Sequence, residues 1–197
     1  MLQSGCNNSL CSFLLFKLTM RLLRILLVAS IVLICGNANA KKYPKPIQKR
    51  IDKAIKSAFG AEEVKFEDLP EASFDITSFP GIQKVSVSKL INEGNEIGVA
   101  GFASSKGKND LFDYLVLFDE SMTIKKVVIL VYRSSYGGEI MAKYWLKQFE
   151  GKYNGEQFEF NKDIDSISGA TISAPAITNG IKSLSLLMVH LKETGKL

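Results

Sequence analysis

Apolar residues recur at helical spacing in two stretches of the chain, one early and one at the end. The early stretch has a proline near its first turn and ends at Phe59-Gly60, as is typical of an amphipathic helix. Its apolar positions are Ile47, Ile51, Ala54, Ile55 and Ala58. The later stretch predicts a long helix from about Ala174 to Leu191. Its apolar face is expected to comprise Ile177, Ile181, Leu184, Met188 and Leu191.

Between these helices the apolar period changes to two, starting at Gly81. Turns at Gly94-Asn95 and at Asp119 to Met122 separate the alternating segments, which indicates an antiparallel meander of about four strands. The strands are expected around Val85 to Val87, Ile97 to Val99, Leu111 to Phe118 and Ile124 to Tyr132. Residues 139–149 return to helical spacing and predict a middle helix.

The fold class is therefore α+β, an antiparallel β-meander of about four strands packed with an N-terminal helix, a middle helix and a C-terminal helix. Residues 41–80 are assigned to the N-terminal helix and an acidic connector, with a short strand expected near Phe74 to Phe79. Residues 81–197 form the main domain. The aromatic residues of the middle helix either belong to the core or line a cofactor site, and the core is expected, since helical spacing alone predicts a buried face. They are Tyr144, Trp145 and Phe149.

The first 40 residues have the composition of an export signal. Of the 25 basic residues of the chain, three lie here without any acidic residue, which leaves 22 basic against 20 acidic residues in the rest. From Met20 a basic stretch, an apolar run from Ile25 to Cys35 and the small residues Ala38-Asn39-Ala40 follow one another, as in a secretory signal peptide. We therefore expect cleavage after Ala40 and a mature protein in the periplasm or at the extracytoplasmic membrane surface.

Two alternatives concern this leader. Residues 1–19 are either an overlong basic region or the product of a start codon assigned too early. A lipid attached to Cys35 would replace the cleavage, but lipid acceptors follow a small residue and Ile34 precedes this cysteine. All three cysteines lie before residue 41, so the mature protein is expected to form no disulfide. Its nearly balanced charge gives no reason to expect a nucleic acid partner.

Residue types for metal or triad chemistry are scarce. His190 is the only histidine, and it lies near the end of a helix, where the helix dipole stabilises a cation. The sequence predicts no catalytic residue and no metal site. The informative segment is instead Asp165 to Pro175, where small and hydroxylated residues lead into the last helix, with Ser173 at the expected N-cap. Free backbone N–H groups at a helix start suit an anion, and no acidic residue occurs from Ala174 until Glu193. Ser173 is thus either an ordinary N-cap, worth about 1 kcal/mol, or part of a phosphate site.

This segment resembles the flavinylation motif of the FMN-binding domain family, which includes the C subunit of the sodium-translocating NADH:quinone reductase and the G subunit of the Rnf complex. The family pattern is Asp, two spacers, Ser or Thr, Gly, Ala, Thr, any residue, then Thr or Ser. The matching residues are Asp165, Ser168, Gly169, Ala170, Thr171 and Ser173. The resemblance covers about residues 97–192, includes a glycine turn at Tyr136-Gly137-Gly138, and is greatest to the small exported members.

The resemblance implies that residues 81–197 are an FMN-binding domain. In that family the last hydroxyl of the motif carries FMN through a phosphoester bond, made by a separate magnesium-dependent flavin transferase that uses FAD and releases AMP. By position this acceptor is Ser173. The rest of the motif and the turn are then expected to line the cofactor site, with Tyr136 stacked on the flavin ring. Two features depart from the family pattern, since the acceptor is more often Thr and the turn lacks the Glu-Thr-Pro-Gly form of the membrane-complex subunits.

The implied function is an exported flavoprotein that relays electrons, with a membrane or periplasmic redox partner. The alternatives are a flavin-dependent reductase that acts directly on a small-molecule acceptor, and a secreted binding module with a fortuitous motif. Asp165 also has two interpretations. It ties its own loop by accepting backbone N–H bonds, as aspartates do in turns, or it serves the transferase during flavin transfer.

Overall fold

A five-stranded antiparallel sheet forms the centre of the fold, and its strands follow one another in space as they do in sequence. The structure, a computed structural model, describes residues 43–71 and 75–197, so the predicted leader, residues 1–40, lies outside the described residues. The strands are β1 (Lys65–Asp68), β2 (Lys84–Asn92), β3 (Asn95–Lys106), β4 (Leu111–Phe118) and β5 (Ile124–Val131). The helices are α1 (Lys45–Phe59), α2 (Lys143–Leu146) and α3 (Ser173–Glu193), with 3₁₀ turns at Gly138–Met141 and Lys147–Phe149. The predicted α+β class is confirmed, with five strands rather than four.

The additional strand is β1, and it does not lie where the sequence predicted a short strand. A strand was expected near Phe74 to Phe79, but residues 76–80 form turns and bends, and Phe74 lies outside the described residues. Strand β1 has a single apolar residue, Phe66, so it shows no alternating pattern. It exists because its backbone pairs with β2, where Phe66 lies opposite Leu90. An edge strand of this kind is specified by its neighbour and not by its own periodicity.

The turn between β2 and β3 lies one residue earlier than predicted. Its two residues are Glu93 and Gly94, with φ values of 50° and 84°, and Asn95 already pairs with Asn92. Two consecutive left-handed residues give the backbone twist that suits a two-residue hairpin. The register of the hairpin therefore includes Asn95 in the strand.

Each face of the sheet is covered by one long helix. On one side β4 contributes Phe112 and Tyr114 to a core shared with α3, and on the other side it contributes Leu115 and Leu117 to a core shared with α1. Strand β4 is therefore buried on both faces, which explains its almost continuous apolar sequence. The predicted apolar face of α3 is confirmed, because all five of its residues are fully buried.

The middle helix differs from its prediction. Residues 139–149 do not form one helix, because Ala142 is extended (φ −64°, ψ 120°) and separates the first 3₁₀ turn from α2. Trp145 and Phe149 are buried and pack edge to face at 5.4 Å, as expected. Tyr144 was expected beside them but is 75% exposed. A single helical turn has too short an apolar face to bury all three rings.

A buried polar contact fixes α3 on the sheet. Ser105 Oγ donates to the carbonyl of Gly81 (2.7 Å), so the 3.1 Å contact between Ser105 and Tyr114 has the tyrosine hydroxyl as donor. Burial raises the pKa of Tyr114 well above its ordinary value, and the hydroxyl stays protonated. Gly180 of α3 lies directly over this pair, since a Cβ there would be 2.3 Å from both hydroxyl oxygens. Only glycine allows α3 to approach this closely.

Replacing Gly180 by Ala should therefore destabilise the protein, although alanine is the better helix former. Overpacking costs about 1–3 kcal/mol, and two simultaneous contacts place the cost at the upper end, against a helix propensity gain of about 1 kcal/mol. We expect the free energy of unfolding in urea to fall by about 2 kcal/mol. The neighbouring exposed residue provides the control, because Asn179→Ala should leave stability unchanged or slightly raised. Equal or greater stability of Gly180→Ala would show that the hydroxyl pair does not restrict α3.

Candidate functional site

The motif begins in a loop that is anchored by its backbone. Trp145 Nε1 donates to the carbonyl of Asp165 (2.7 Å), and the Asp165 N–H donates to Gln148 Oε1 (2.9 Å). The side chain of Asp165 is exposed. Within residues 43–71 and 75–197, its carboxylate takes part in no hydrogen bond or ion pair. The main chain of Asp165 thus holds the loop to Trp145 and Gln148, and the carboxylate of Asp165 is available at the surface.

The start of α3 differs from the predicted capping arrangement. The N-cap is Ile172, which already has helical angles (φ −97°, ψ −42°), and no side chain caps the helix. Ser173 is the first helical residue, so its assignment as N-cap is wrong. The turn before it already winds into the helix, because the N–H of Ala174 donates to Ala170 (2.9 Å). No acidic residue occurs in the first turn.

Free N–H groups at this helix start lie slightly earlier than expected. The N–H of Ala176 is taken by the carbonyl of Ile172 (3.3 Å), and Pro175 has none. Among the described residues, no acceptor is bonded to the N–H groups of Ile172 and Ser173. These two donors and the positive end of the helix dipole remain available to an anion.

Ser173 itself is almost completely buried, at 2% exposure. Its Oγ lies 2.8 Å from Tyr132 Oη, and Tyr132 Oη lies 2.6 Å from the carbonyl of Tyr136, to which it donates. A tyrosine hydroxyl has one proton, so Ser173 must be the donor to Tyr132. A Cβ on Gly107 would lie 3.6 Å from Ser173 Oγ. Three separate parts of the chain thus meet at this one oxygen atom.

The glycine turn is required by this contact. Gly137 is buried and left-handed (φ 83°), and a Cβ there would lie 2.6 Å from both Ser173 Oγ and Tyr132 Oη. Gly138 packs on the ring of Tyr132 and on Met141. Of the residues predicted from sequence, the structure brings Gly137 directly against Ser173.

The motif glycine has a similar role in its loop. Gly169 is left-handed (φ 87°), and a Cβ there would lie 2.6 Å from the carboxylate of Glu139. Ala170 is buried, whereas Ser168 and Thr171 are exposed. Ser173 is therefore the buried hydroxyl of the motif and the other two face solvent.

Apolar and basic groups lie at the surface around this buried hydroxyl. Tyr136 is 69% exposed, and both Ile172 and Met141 are also exposed. Lys108 Nζ lies 5.6 Å from the centroid of the Tyr136 ring, as in a cation–π contact. Lys108 forms no ion pair with any described carboxylate. The surface offers one exposed aromatic ring and one unneutralised cation.

The sequence did not identify Tyr132, Gly107, Lys108 and Glu139 as site residues. Tyr132 was assigned to the end of a strand, but β5 ends at Val131. Arg133 ties the chain after β5 to β4, because it forms an ion pair with Asp113 and donates to the carbonyl of Leu111 (2.9 Å). Burial raises the pKa of Asp113, but hydrogen bonds from Arg133 and Ser104 outweigh it, so the pKa lies below its ordinary value.

The described residues contain no cluster of three or more His, Cys, Asp or Glu side chains that could hold a metal ion. No helix among them is long and apolar enough to cross a membrane.

A comparison with protein families matches the region that contains the site. The model of the FMN-binding domain family matches residues 107–185, from the glycine of the β3–β4 turn to the middle of α3. No curated protein matches the chain. The match includes Tyr132, the glycine turn and the whole motif. Residues 107–185 therefore belong to the FMN-binding domain family, and the protein is a flavoprotein that binds FMN.

Proposed function

We propose that the protein carries FMN phosphoester-linked to Ser173 and that, exported from the cytoplasm, it relays electrons in an extracytoplasmic or membrane-associated redox chain. The observation that carries this proposal is the position of Ser173. It is the last hydroxyl of the motif, it opens a helix without a carboxylate in its first turn, and the glycine turn packs against it.

The attachment is a group transfer without any change of oxidation state. Ser173 Oγ forms a bond to the phosphorus of the FMN half of FAD, and the bond between that phosphorus and the bridging anhydride oxygen breaks. AMP leaves with that oxygen, and the serine proton passes to a base of the magnesium-dependent flavin transferase. The product is a phosphodiester that holds one negative charge at the start of α3.

The residues present fit such a group. The free N–H groups of Ile172 and Ser173 suit the phosphate, and Lys108 supplies an unneutralised positive charge beside the Tyr136 ring. The exposed surfaces of Tyr136, Ile172 and Met141 suit an apolar flavin ring. When bound, FMN supplies the one- and two-electron chemistry, and the protein supplies position and electrostatics.

A covalent bond suits a carrier that works outside the cytoplasm. A noncovalent cofactor at low external concentration dissociates by mass action, whereas an ester-linked one stays with the protein at any concentration. The proposal that the protein is exported rests on the sequence of residues 1–40, and it makes Lys41 the N-terminus of the mature protein.

The alternative, a reductase, needs a substrate site beside the flavin, and the groove described along α3 does not supply one. This groove, of about 800 Å³, runs along α3 from Asn179 to Glu193 and is also lined by Phe79. At 1.5 Å per residue, Asn179 is about 9 Å from Ser173 along the helix axis and Glu193 about 30 Å. A substrate bound in most of this groove would not contact a flavin at Ser173.

The ester bond is tested by Ser173→Ala. Wild-type protein exported from a host with the flavin transferase should gain the mass of FMN minus water and give a fluorescent band on a denaturing gel. Ser173→Ala should lose both signals completely. Its stability should fall by only about 0.5–1.5 kcal/mol, because one hydrogen bond to Tyr132 is lost while Tyr132 keeps its bond to Tyr136. Ser168→Ala and Thr171→Ala are the matched controls and should retain the flavin. Persistent fluorescence in Ser173→Ala would move the attachment to one of those two hydroxyls.

Asp165 is proposed to serve the transferase, since its carboxylate is exposed and makes no bond within the described structure. Asp165→Asn should stay folded and gain flavin at least tenfold more slowly at matched transferase and FAD, as expected for the loss of an interaction worth about 1.4 kcal/mol or more in the transition state. Asp163 is the matched control, because its carboxylate accepts the Glu159 N–H (2.9 Å) and ties a turn. Asp163→Asn should melt lower and gain flavin normally. A wild-type time course for Asp165→Asn would reduce its role to that of a loop residue.

Tyr136 is proposed to stack on the flavin ring. A stacked phenol quenches flavin fluorescence by electron transfer, so Tyr136→Leu should make the folded, loaded protein more fluorescent at unchanged flavin content. Tyr153→Leu is the control. Tyr153 is also exposed and lies two residues before Gly155, which packs on Leu186, about 20 Å along α3 from Ser173. Equal fluorescence of both variants and wild type would show that the ring lies elsewhere.

A further inference from the structure

The acceptor hydroxyl is enclosed in this structure. Ser173 is 2% exposed, with Tyr132 bonded to its Oγ, Gly137 packed against it and Gly107 in van der Waals range. A transferase must bring a phosphorus atom into bonding contact with that oxygen, and no side of the oxygen is open to a second protein. Flavin transfer to this arrangement therefore requires that one of the enclosing segments moves away first.

Two hydrogen bonds of Tyr132 hold the enclosing turn against Ser173. The chain of donors runs from Ser173 to Tyr132 and from Tyr132 to the carbonyl of Tyr136. An esterified Ser173 has no proton, so Tyr132 could then donate either to the ester oxygen or to Tyr136, but not fully to both. The complete chain of two bonds is available only to the unmodified protein.

We propose that Tyr132 is a latch that holds the Tyr136–Gly138 turn closed over Ser173 and limits the rate of flavin transfer. This inference rests on the proposed attachment at Ser173. The turn has two other described side-chain interactions, the cation–π contact of the Tyr136 ring with Lys108 (5.6 Å) and the bond from the Tyr136 N–H to Ser134 Oγ (3.2 Å), and neither of them reaches α3. Tyr132 is therefore the residue that connects the turn to α3.

A latch of this kind has a defined effect on the rate. When only an open minority of molecules can react, the observed rate is reduced by the open fraction. Tyr132→Phe keeps the ring between Gly138 and the core but deletes both hydrogen bonds of the chain. Since each net hydrogen bond changes a population by a factor of about 2 to 12, we expect the open fraction to rise about tenfold.

Opening can be measured without any flavin, by the accessibility of a thiol at the acceptor position. In full-length Ser173→Cys, the labelling rate with a maleimide is read by mass spectrometry on the peptide that carries position 173, so the three leader cysteines do not interfere. Adding Tyr132→Phe should raise this rate about 2- to 12-fold, because the bond from Tyr132 to Tyr136 is lost, while a thiol at position 173 is only a weak donor to Tyr132. An unchanged or lower rate would overturn the latch.

Two controls separate local opening from general loosening. Thr171→Cys places a thiol at an exposed position of the same loop, and its labelling should be fast and independent of Tyr132. Ser88→Ala removes a buried hydroxyl bond elsewhere in the sheet, from Ser88 of β2 to Asp68 of β1 (2.6 Å). In the Ser173→Cys background it should lower stability without raising the labelling rate. If Ser88→Ala raises that rate as much as Tyr132→Phe does, global unfolding explains the effect and the latch is overturned.

The second experiment measures the rate of flavin transfer to variants that keep Ser173. With transferase, FAD and magnesium ions, Tyr132→Phe should be loaded about tenfold faster than wild type, and Ser88→Ala at the wild-type rate. Faster labelling of the thiol together with normal or slower loading would overturn the claim that the latch limits transfer. If the wild-type protein gains no flavin at all, even when mild urea promotes opening of the turn, the proposed attachment at Ser173 is overturned. The labelling rates then still decide whether the latch exists.

Discussion

The close approach of α3 to the sheet determines the geometry of the site. Gly180 lies over the hydroxyls of Ser105 and Tyr114, and Leu184 of the same helix packs against Gly101 of β3. Two glycines, one on the helix and one on the sheet, remove the side chains that would hold these elements apart. Because α3 is rigid and fully buried on one face, fixing these contacts also fixes its first residue. The position of Ser173 is thus a consequence of packing several turns away.

Three loops at the same end of the sheet then complete the site. The β3–β4 turn contributes Gly107 and Lys108, the segment after β5 contributes Tyr132 and the glycine turn, and the loop before α3 contributes the motif. In an antiparallel meander every second connection lies at the same end of the strands, so residues distant in sequence meet there. Small residues at each contact let three backbones approach one oxygen atom.

The features that were predictable from sequence are those with a local cause. Helices α1 and α3 and strands β2 to β5 follow from apolar periodicity, and Gly60 ends α1 in the left-handed conformation expected of a terminal glycine. Strand β1 was missed because only its pairing with β2 makes it a strand. The N-cap was misplaced because the turn before Ser173 winds into the helix, which depends on the backbone of Ala170 and Ile172. Tyr132 was missed since a contact across 41 residues has no sequence signature.

The flavin transfer proposed here places two physical requirements on the motif, and these conflict in a single rigid structure. Asp165, Ser168 and Thr171 are exposed, so a transferase can recognise the segment before any chemistry occurs, whereas Ser173 is buried. Binding energy from the exposed positions can be used to open the turn, in the way that remote substrate contacts in enzymes offset the energy needed to distort the reacting centre. A non-cognate enzyme that lacks these contacts meets only the closed form, in which the hydroxyl is already bonded. In the proposed transfer, selectivity for Ser173 over the exposed serines and threonines arises from opening of the turn and not from the reactivity of the Ser173 hydroxyl.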